Sequence, residues 1–205
     1  MARRLTRLEQ QRRTNTRLRV AGTEVFLRRG YLSTTVDELA AEAGYTRGAV
    51  YKHFGGKPGL WMAIVDAGQD EQFTDLERRL AEVTDRPALL SALADALVPV
   101  EAAAGARWST AAMEFAATAV TNPQQAAAIA ARHARWDARL ATLLTAALAR
   151  LRLCPALPVD RLVIALDGLA DGLNLRHAVD TDVNSRQLIM DVLDKLIPAT
   201  ESDNT

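Results

Sequence analysis

Sulfur, aromatic rings and long apolar runs are all scarce in this 205-residue chain, and each scarcity removes a class of protein. A single cysteine, Cys154, excludes an internal disulfide framework and is compatible with a reducing cytosol. No apolar run approaches the roughly 20 residues that a membrane-spanning helix requires. The opening residues, MARRLTRLEQQRR, run straight into charge without an apolar stretch, so no secretory leader is expected and the expected location is cytoplasmic, with no membrane partner. There is no Gly-x-Ser-x-Gly, no His-Glu-x-x-His and no phosphate-loop pattern. The three histidines, His53, His133 and His177, fall on separate expected helices without ligand spacing. Catalysis, a metal and any other cofactor are therefore not expected. Alternating β-branched runs are also missing, which argues against a sheet.

What remains is an Ala/Leu-rich chain, 49% hydrophobic but only 5% aromatic, with helical periodicity throughout. The expected fold class is all-α, about nine helices, three in an N-terminal head and six in a larger body. Residues 1–8 read as a flexible basic arm within a head of residues 1–57. The body covers residues 58–198, and residues 199–205 read as a disordered tail.

The formal net charge of zero conceals an uneven distribution. Residues 1–60 hold 12 Lys and Arg against 5 Asp and Glu, whereas residues 61–205 hold 13 against 20. A basic head on an acidic body suits a head that meets a polyanion, although basic N-terminal arms can also be merely solvated.

In the head, a first helix over residues 9–29 places Leu18, Ala21, Val25 and Phe26 on one face and ends at Gly30. Thr35 and Glu38 form a capping box for the second helix, which Gly44 ends. Thr46 is placed to cap the third, which Gly55 and Gly56 stop. Lys57 and Pro58 start a long fourth helix, with Pro58 at its first position, running to about Leu80. Two short helices joined at a glycine, the second rich in base and nearly free of acid, are how a chain presents a helix to the DNA major groove. Val50 and Phe54 turn inward, leaving Arg47, Gly48, Tyr51 and Lys52 outward. Arg47 is the candidate for reading a base edge, since a guanidinium pairs bidentately with guanine. Gly48 is small enough to let backbone approach the groove. Tyr51, Lys52, His53 and Lys57 suit phosphate contacts, and Thr35 and Thr46 combine a hydroxyl with a helix N-terminus.

The body continues with a helix from Arg86 to about residue 103, bent at Pro99, and another over residues 106–120. Asn122, Pro123 and Gln125 open a long helix, and Asn184 caps the last, which Pro198 stops. The helix expected over residues 159–179 is apolar on two faces: Leu162, Leu166, Leu169 and Leu173 on one, Ile164, Gly168, Gly172, Leu175 and Val179 on the other. Such a helix lies between two layers, and two glycines at i,i+4 invite close approach by another helix.

The run of Phe26, Gly30 and Tyr31, then Thr34, Thr35, Val36, Leu39, Ala40, Ala43 and Gly44, then Gly48, Ala49, Val50, Tyr51, His53, Phe54, Lys57 and Leu60, resembles the DNA-binding head of the TetR/AcrR repressor family. Gly55-Gly56 departs from the more polar pair usual there. The resemblance implies homodimers that bind a palindromic operator in double-stranded DNA and release it when a small-molecule effector enters the body. It carries DNA contacts onto Thr35, Thr46, Arg47, Gly48, Tyr51, Lys52, His53 and Lys57. It also implies that the last two helices pack against their mates as a four-helix bundle, through Ile164, Gly168, Gly172 and Leu175 with Leu188, Val192 and Leu196. The effector pocket is then expected between Trp61 and Trp136, with Trp108, Met113, Phe115 and Trp136 as lining and Glu114, Arg107 or His133 as orienting polar groups. An activator with the same head is an open alternative. So is a helical small-molecule-binding or enzymatic domain whose basic head docks on protein or membrane.

Overall fold

The structure, a computed structural model, describes residues 6–98, 102–177 and 179–199. Among these residues it is all-helical, with nine helices: α1 (Arg7–Arg29), α2 (Val36–Glu42), α3 (Arg47–Phe54), α4 (Lys57–Glu82), α5 (Arg86–Leu97), α6 (Ala102–Ala119), α7 (Pro123–Leu151), α8 (Val159–His177) and α9 (Ser185–Leu196). Residues 1–5 of the expected arm, the bend expected at Pro99 and residues 200–205 of the expected tail lie outside the described residues. The rest of the arm is helix start: Thr6 caps α1 and exchanges hydrogen bonds with Glu9.

Helix starts follow local chemistry. Asp85, Asn122 and Asn184 each accept a hydrogen bond from the backbone N–H three residues on, which satisfies one of the donors left open at a helix N-terminus. Several boundaries differ from the sequence expectation, and α6 begins at Ala102 rather than at residue 106. α5 ends at Leu97 because Val98, the residue before a proline, takes an extended backbone (φ −108°, ψ 122°), the conformation that prolyl sterics impose. α4 begins at Lys57, so Pro58 occupies its second position.

The helices divide into two compact units. The first comprises Met1–Asp70 with Ala111–Phe115, so it runs past the head expected at residues 1–57. Its core holds Leu18, Val25, Phe26, Leu39, Val50 and Leu60, all buried. Four of the chain's few rings meet here. Tyr31 lies 5.6 Å from Phe26, 5.7 Å from Trp61 and 5.0 Å from Phe115, centroid to centroid. At Gly59 a Cβ would lie 1.8 Å from the Phe54 carbonyl oxygen, so only glycine lets α4 start this close to the end of α3.

The second unit, Glu71–Thr110 with Ala116–Thr205, buries Leu89, Ala94, Leu148, Leu162, Ile189 and Leu193 at the centre of its core. Arginines lace its edges. Arg86 donates to the Ile197 carbonyl at 2.7 Å and to Asp194 at 2.7 Å, and Arg186 to Asp95 at 2.7 Å. Arg150 donates to the carbonyls of Leu80 and Val83.

α8 has one face in this core and another in solvent. Ile164 is 58% exposed, and a Cβ built on Gly168 or Gly172 would meet nothing within 4 Å. Leu188 of α9 is 44% exposed, whereas Leu175, Val192 and Leu196 are half-buried.

Where α7 packs on α8, Asp167 is half-buried, and its carboxyl is pushed up from 3.8 to about 6, first by burial, then by Asp171 and Asp137, with Arg132 opposing. Asp171 is raised as well, and His133 is lowered, both chiefly by burial. A raised folded-state value means that the folded protein holds a proton that the unfolded chain has already released. Stability from this group is therefore complete below about pH 4 and falls as pH rises toward 6. Asp167→Asn is expected to stabilise the protein by about 1–2 kcal/mol at pH 7, allowing for solvent screening, and to leave it unchanged at pH 4. Urea unfolding at the two pH values checks this, and an equal gain at both would rule out the burial cost as its source.

Candidate nucleic-acid interface

α2 and α3 have seven and eight residues, too few to persist alone in water. Their order is imposed by caps, by the turn between them and by α1. At the start of α2 the Thr35 hydroxyl accepts from the Glu38 N–H at 3.3 Å, and the Thr35 N–H donates to the Glu38 carboxylate at 2.8 Å. Those bonds hold the Glu38 carboxyl below its usual range, Thr35 first and Arg29 and Arg28 further. The α2–α3 turn closes through Gly44 N–H to Ala41 O at 3.0 Å and Tyr45 N–H to Ala40 O at 2.8 Å. Arg28 and Arg29 of α1 pair with Glu42 and Glu38 at 2.8 and 2.5 Å.

α3 is anchored by Val50, which is fully buried, while Phe54 is only half-buried. Thr46 stands at its N-cap position, yet its side chain makes no cap hydrogen bond, contrary to the expectation that it caps α3. The start of α3 is left without a side-chain acceptor. Arg47 is 60% exposed, 3.4 Å from Asp37 and 3.5 Å from the Tyr51 hydroxyl, with its guanidinium 5.5 Å from the centre of the Tyr51 ring. Tyr51 and then Asp37 raise its pKa, so it is a fixed cation presented on an open surface. Gly48 is exposed, and a Cβ there would meet only the Thr46 hydroxyl, at 3.7 Å. Nothing inside the protein therefore demands a glycine at this position. Tyr51 and Lys52 are exposed too. His53 is half-buried, with its Nδ1 covered and lacking a hydrogen-bond partner.

Lys57, expected at a phosphate contact, has partners inside the chain. Its ammonium donates to the carbonyls of Tyr31 at 2.9 Å and Thr34 at 2.8 Å and lies 4.3 Å from the centre of the Tyr31 ring. Burial lowers its pKa, and the Glu114 charge works the other way. The residue ties α4 to the turn between α1 and α2.

Residues expected at an effector pocket are redistributed. Glu114 and Phe115 belong to the first unit, with Met113 between Ala111 and Glu114 in the same segment. The Glu114 carboxylate accepts the Leu32 N–H at 2.9 Å, and Phe115 joins the rings around Tyr31. Gly30, in the left-handed region at φ 78°, makes room for this: a Cβ there would lie 2.7 Å from the Glu114 carboxylate. These two side chains are packing and hydrogen-bonding partners of the α1–α2 turn. Met113 is exposed. Trp108, His133 and Trp136 belong to the second unit, where Trp136 packs edge-on to Phe73, ring centres 6.1 Å apart. A cleft of about 350 Å³ in that unit lies elsewhere, among Val98, Asn174, His177, Thr181, Ser185 and Arg186.

Among the described residues no group of three or more His, Cys, Asp or Glu is arranged to hold a metal ion, and no helix is long and apolar enough to cross a membrane. Sequence reasoning passed over Tyr45, Arg13 and Arg17. Tyr45 reads as an ordinary turn residue, and nothing local reveals that Thr14, Arg17 and Arg13 of α1 hold its phenol below the usual range.

Comparison with known proteins places this geometry. The model of bacterial regulatory proteins of the tetR family matches residues 18–64. The HTH-type transcriptional activator FasR of Mycolicibacterium smegmatis is 33% identical over 79 residues, 38% of this chain and 36% of FasR. The HTH-type transcriptional repressor AcnR of Corynebacterium diphtheriae is 26% identical over 183 residues, 86% of this chain and 87% of AcnR. The chain spans between 36% and 63% of the length of several curated relatives that it matches. A crystal structure of a TetR transcription regulator from Haloarcula marismortui shares the fold, with a TM-score of 0.69 over 91% of this chain and 100% of that one, at 21% identity.

Replacing Lys57 by Met keeps the apolar stem and removes the ammonium. The expected result is a loss of about 1–3 kcal/mol, because the Thr34 carbonyl is left without its donor. Urea unfolding followed by circular dichroism measures it. An unchanged midpoint would mean that the ammonium does not hold the turn.

Proposed function

The chain belongs to the TetR family of bacterial regulatory proteins, and from that premise we propose that it is a homodimeric, ligand-responsive transcriptional regulator acting in the cytoplasm, a repressor of a palindromic operator. The observation that carries the reading is the outward face of α3. Arg47, Tyr51 and Lys52 are exposed there around a Gly48 that no internal contact requires. Arg47 reads a base edge, Tyr51 and Lys52 grip phosphate, and Gly48 admits the backbone to the groove. Thr35, Thr46 and His53 flank these contacts. Residues 1–57 are the DNA-binding domain in this reading, and residues 58–198 bind effector and partner.

The partner is a second copy of the chain. Ile164, Gly168 and Gly172 on α8 with Leu188 on α9 offer an apolar, glycine-lined face in solvent, as an isologous helix pairing needs. Leu175, Val192 and Leu196 border it. The effector is a small molecule bound among Trp108, His133 and Trp136, and it shifts the balance of shapes only through unequal affinity for them. Repression is supported by AcnR, a relative matched over most of both chains, while FasR is an activator.

Arg47→Ala is expected to reduce discrimination between operator and random duplex by about 1–3 kcal/mol, the worth of a bidentate base contact. Gel-shift titration on a duplex selected by the wild-type protein from a randomised pool measures it, and unchanged operator binding would overturn the base-reading role. Gly168→Leu is expected to leave the fold intact, since its side chain enters open space, and to convert a dimer to a monomer. Light scattering after size exclusion reads this directly. A wild-type monomer at micromolar concentration would defeat the dimer proposal.

A further inference from the structure

In the second unit α5, α8 and α9 pack on one another. The cleft of about 350 Å³ lies where α5 and α8 end and α9 begins, along Val98, Asn174, His177, Thr181, Asp182 and Ser185. Its walls are held by bonds of their own. Arg186, in the first turn of α9, reaches α5 and donates to Asp95 at 2.7 Å and to Ser91 at 2.8 Å. Asn184 accepts the Gln187 N–H at 3.0 Å, and the Ser185 N–H donates to the Val183 carbonyl at 3.0 Å. These bonds fix the linker where it enters α9.

The other polar side chains along this space are idle. Among the described residues Asn174, His177, Thr181 and Asp182 have no hydrogen-bond or ion-pair partner. Asn174 and His177 are three residues apart in the last turn of α8 and so share a face. Exposed groups of this kind trade bonds with water, but Ser185 does not. It is 8% exposed, and its hydroxyl oxygen is covered and without a partner among the described residues. A covered hydroxyl left unpaired is uncommon in a folded protein. Ser185 lines the cleft, and rotation about its Cα–Cβ bond redirects the hydroxyl, so a polar molecule in the cleft can supply the missing bond.

The charges select the kind of molecule. The Arg186 guanidinium is matched by Asp95, whereas the Asp182 carboxylate is unmatched. α5 and α8 both bring C-terminal ends to the cleft, the negative ends of their dipoles, against the single N-terminus of α9. We propose that the cleft binds a small hydroxylated amine. Asp182 takes the ammonium, and Asn174, His177, Thr181 and Ser185 take the hydroxyls. Val98 and Val183 are the apolar lining, too little to hold a molecule by burial alone. None of Trp108, His133 and Trp136, where the effector is placed above, lines this cleft. The site does not depend on the DNA-binding reading.

The test uses three probes with one carbon skeleton: glucamine, sorbitol and gluconate, which are cationic, neutral and anionic at neutral pH. Each is titrated into the full chain, and saturation-transfer NMR reads its affinity. Glucamine is expected to bind, sorbitol about two- to fivefold more weakly, the worth of one exposed ion pair, and gluconate most weakly. Asp182→Asn removes the difference between glucamine and sorbitol. Asp160→Asn, an exposed acid at the other end of α8, keeps it. Ser185→Ala weakens glucamine and sorbitol alike by about two- to tenfold, the worth of one hydrogen bond. It melts no lower than wild type by circular dichroism, because the hydroxyl removed has no partner in the chain. Absence of glucamine binding, affinities that ignore the charge of the probe, or wild-type binding in either Asp182→Asn or Ser185→Ala would overturn the proposal. None of these readouts involves DNA, so the regulator reading stands or falls separately.

Discussion

The turn from Gly30 to Thr34 is the constraint on which the first unit depends. Two helices too short to stand alone follow it, and its closure sets where they start. Tyr31 sits at its centre, buried so thoroughly that its hydroxyl is pushed up to about 12. Rings from α1, α4 and α6 surround it. The Lys57 ammonium crosses from α4 to bind two carbonyls of the turn, and Glu114 takes up the Leu32 N–H. A chain with so few aromatics concentrates four of them here, which is where an edge-to-face cluster does most to define a unique geometry.

The charge asymmetry of the sequence resolves into two uses. Near the C-terminal end of α1, arginine is structural: it binds the acids of α2 and completes a helix end whose dipole favours cations. Around α3 the cations are left for solvent or for a partner. Surface pairs such as Arg28–Glu42 contribute little to stability individually. Their consequence is local, since they neutralise two acids of α2 and tie that helix to α1.

Local chemistry was legible in the sequence, and long-range chemistry was not. Thr35 with Glu38, Asn122 with Gln125 and Asn184 with Gln187 are pairs three residues apart, so their helix starts can be read by eye. The apolar faces of α1 and α8 follow from periodicity for the same reason. Lys57 binds carbonyls 26 and 23 residues away, and Glu114 reaches an N–H 82 residues away. No spacing rule announces such partners, so neither bond is legible from the residues around Lys57 or Glu114. The lowered phenol of Tyr45 was equally illegible, because Thr14 and Arg17, which lower it, lie on another helix. Even the Thr46 cap failed for a local reason: the residue type and position are right, but the hydroxyl makes no cap bond.

That unused hydroxyl leaves the opening of α3 to other forces. α1, α2, α5, α7 and α9 begin with side chains that satisfy their own first amides. The first turn of α3 instead closes through the backbone, Ala49 N–H to Thr46 O at 2.9 Å, and the helix is held by Val50 at its middle. An eight-residue helix opened in this way owes its order to packing more than to its own ends.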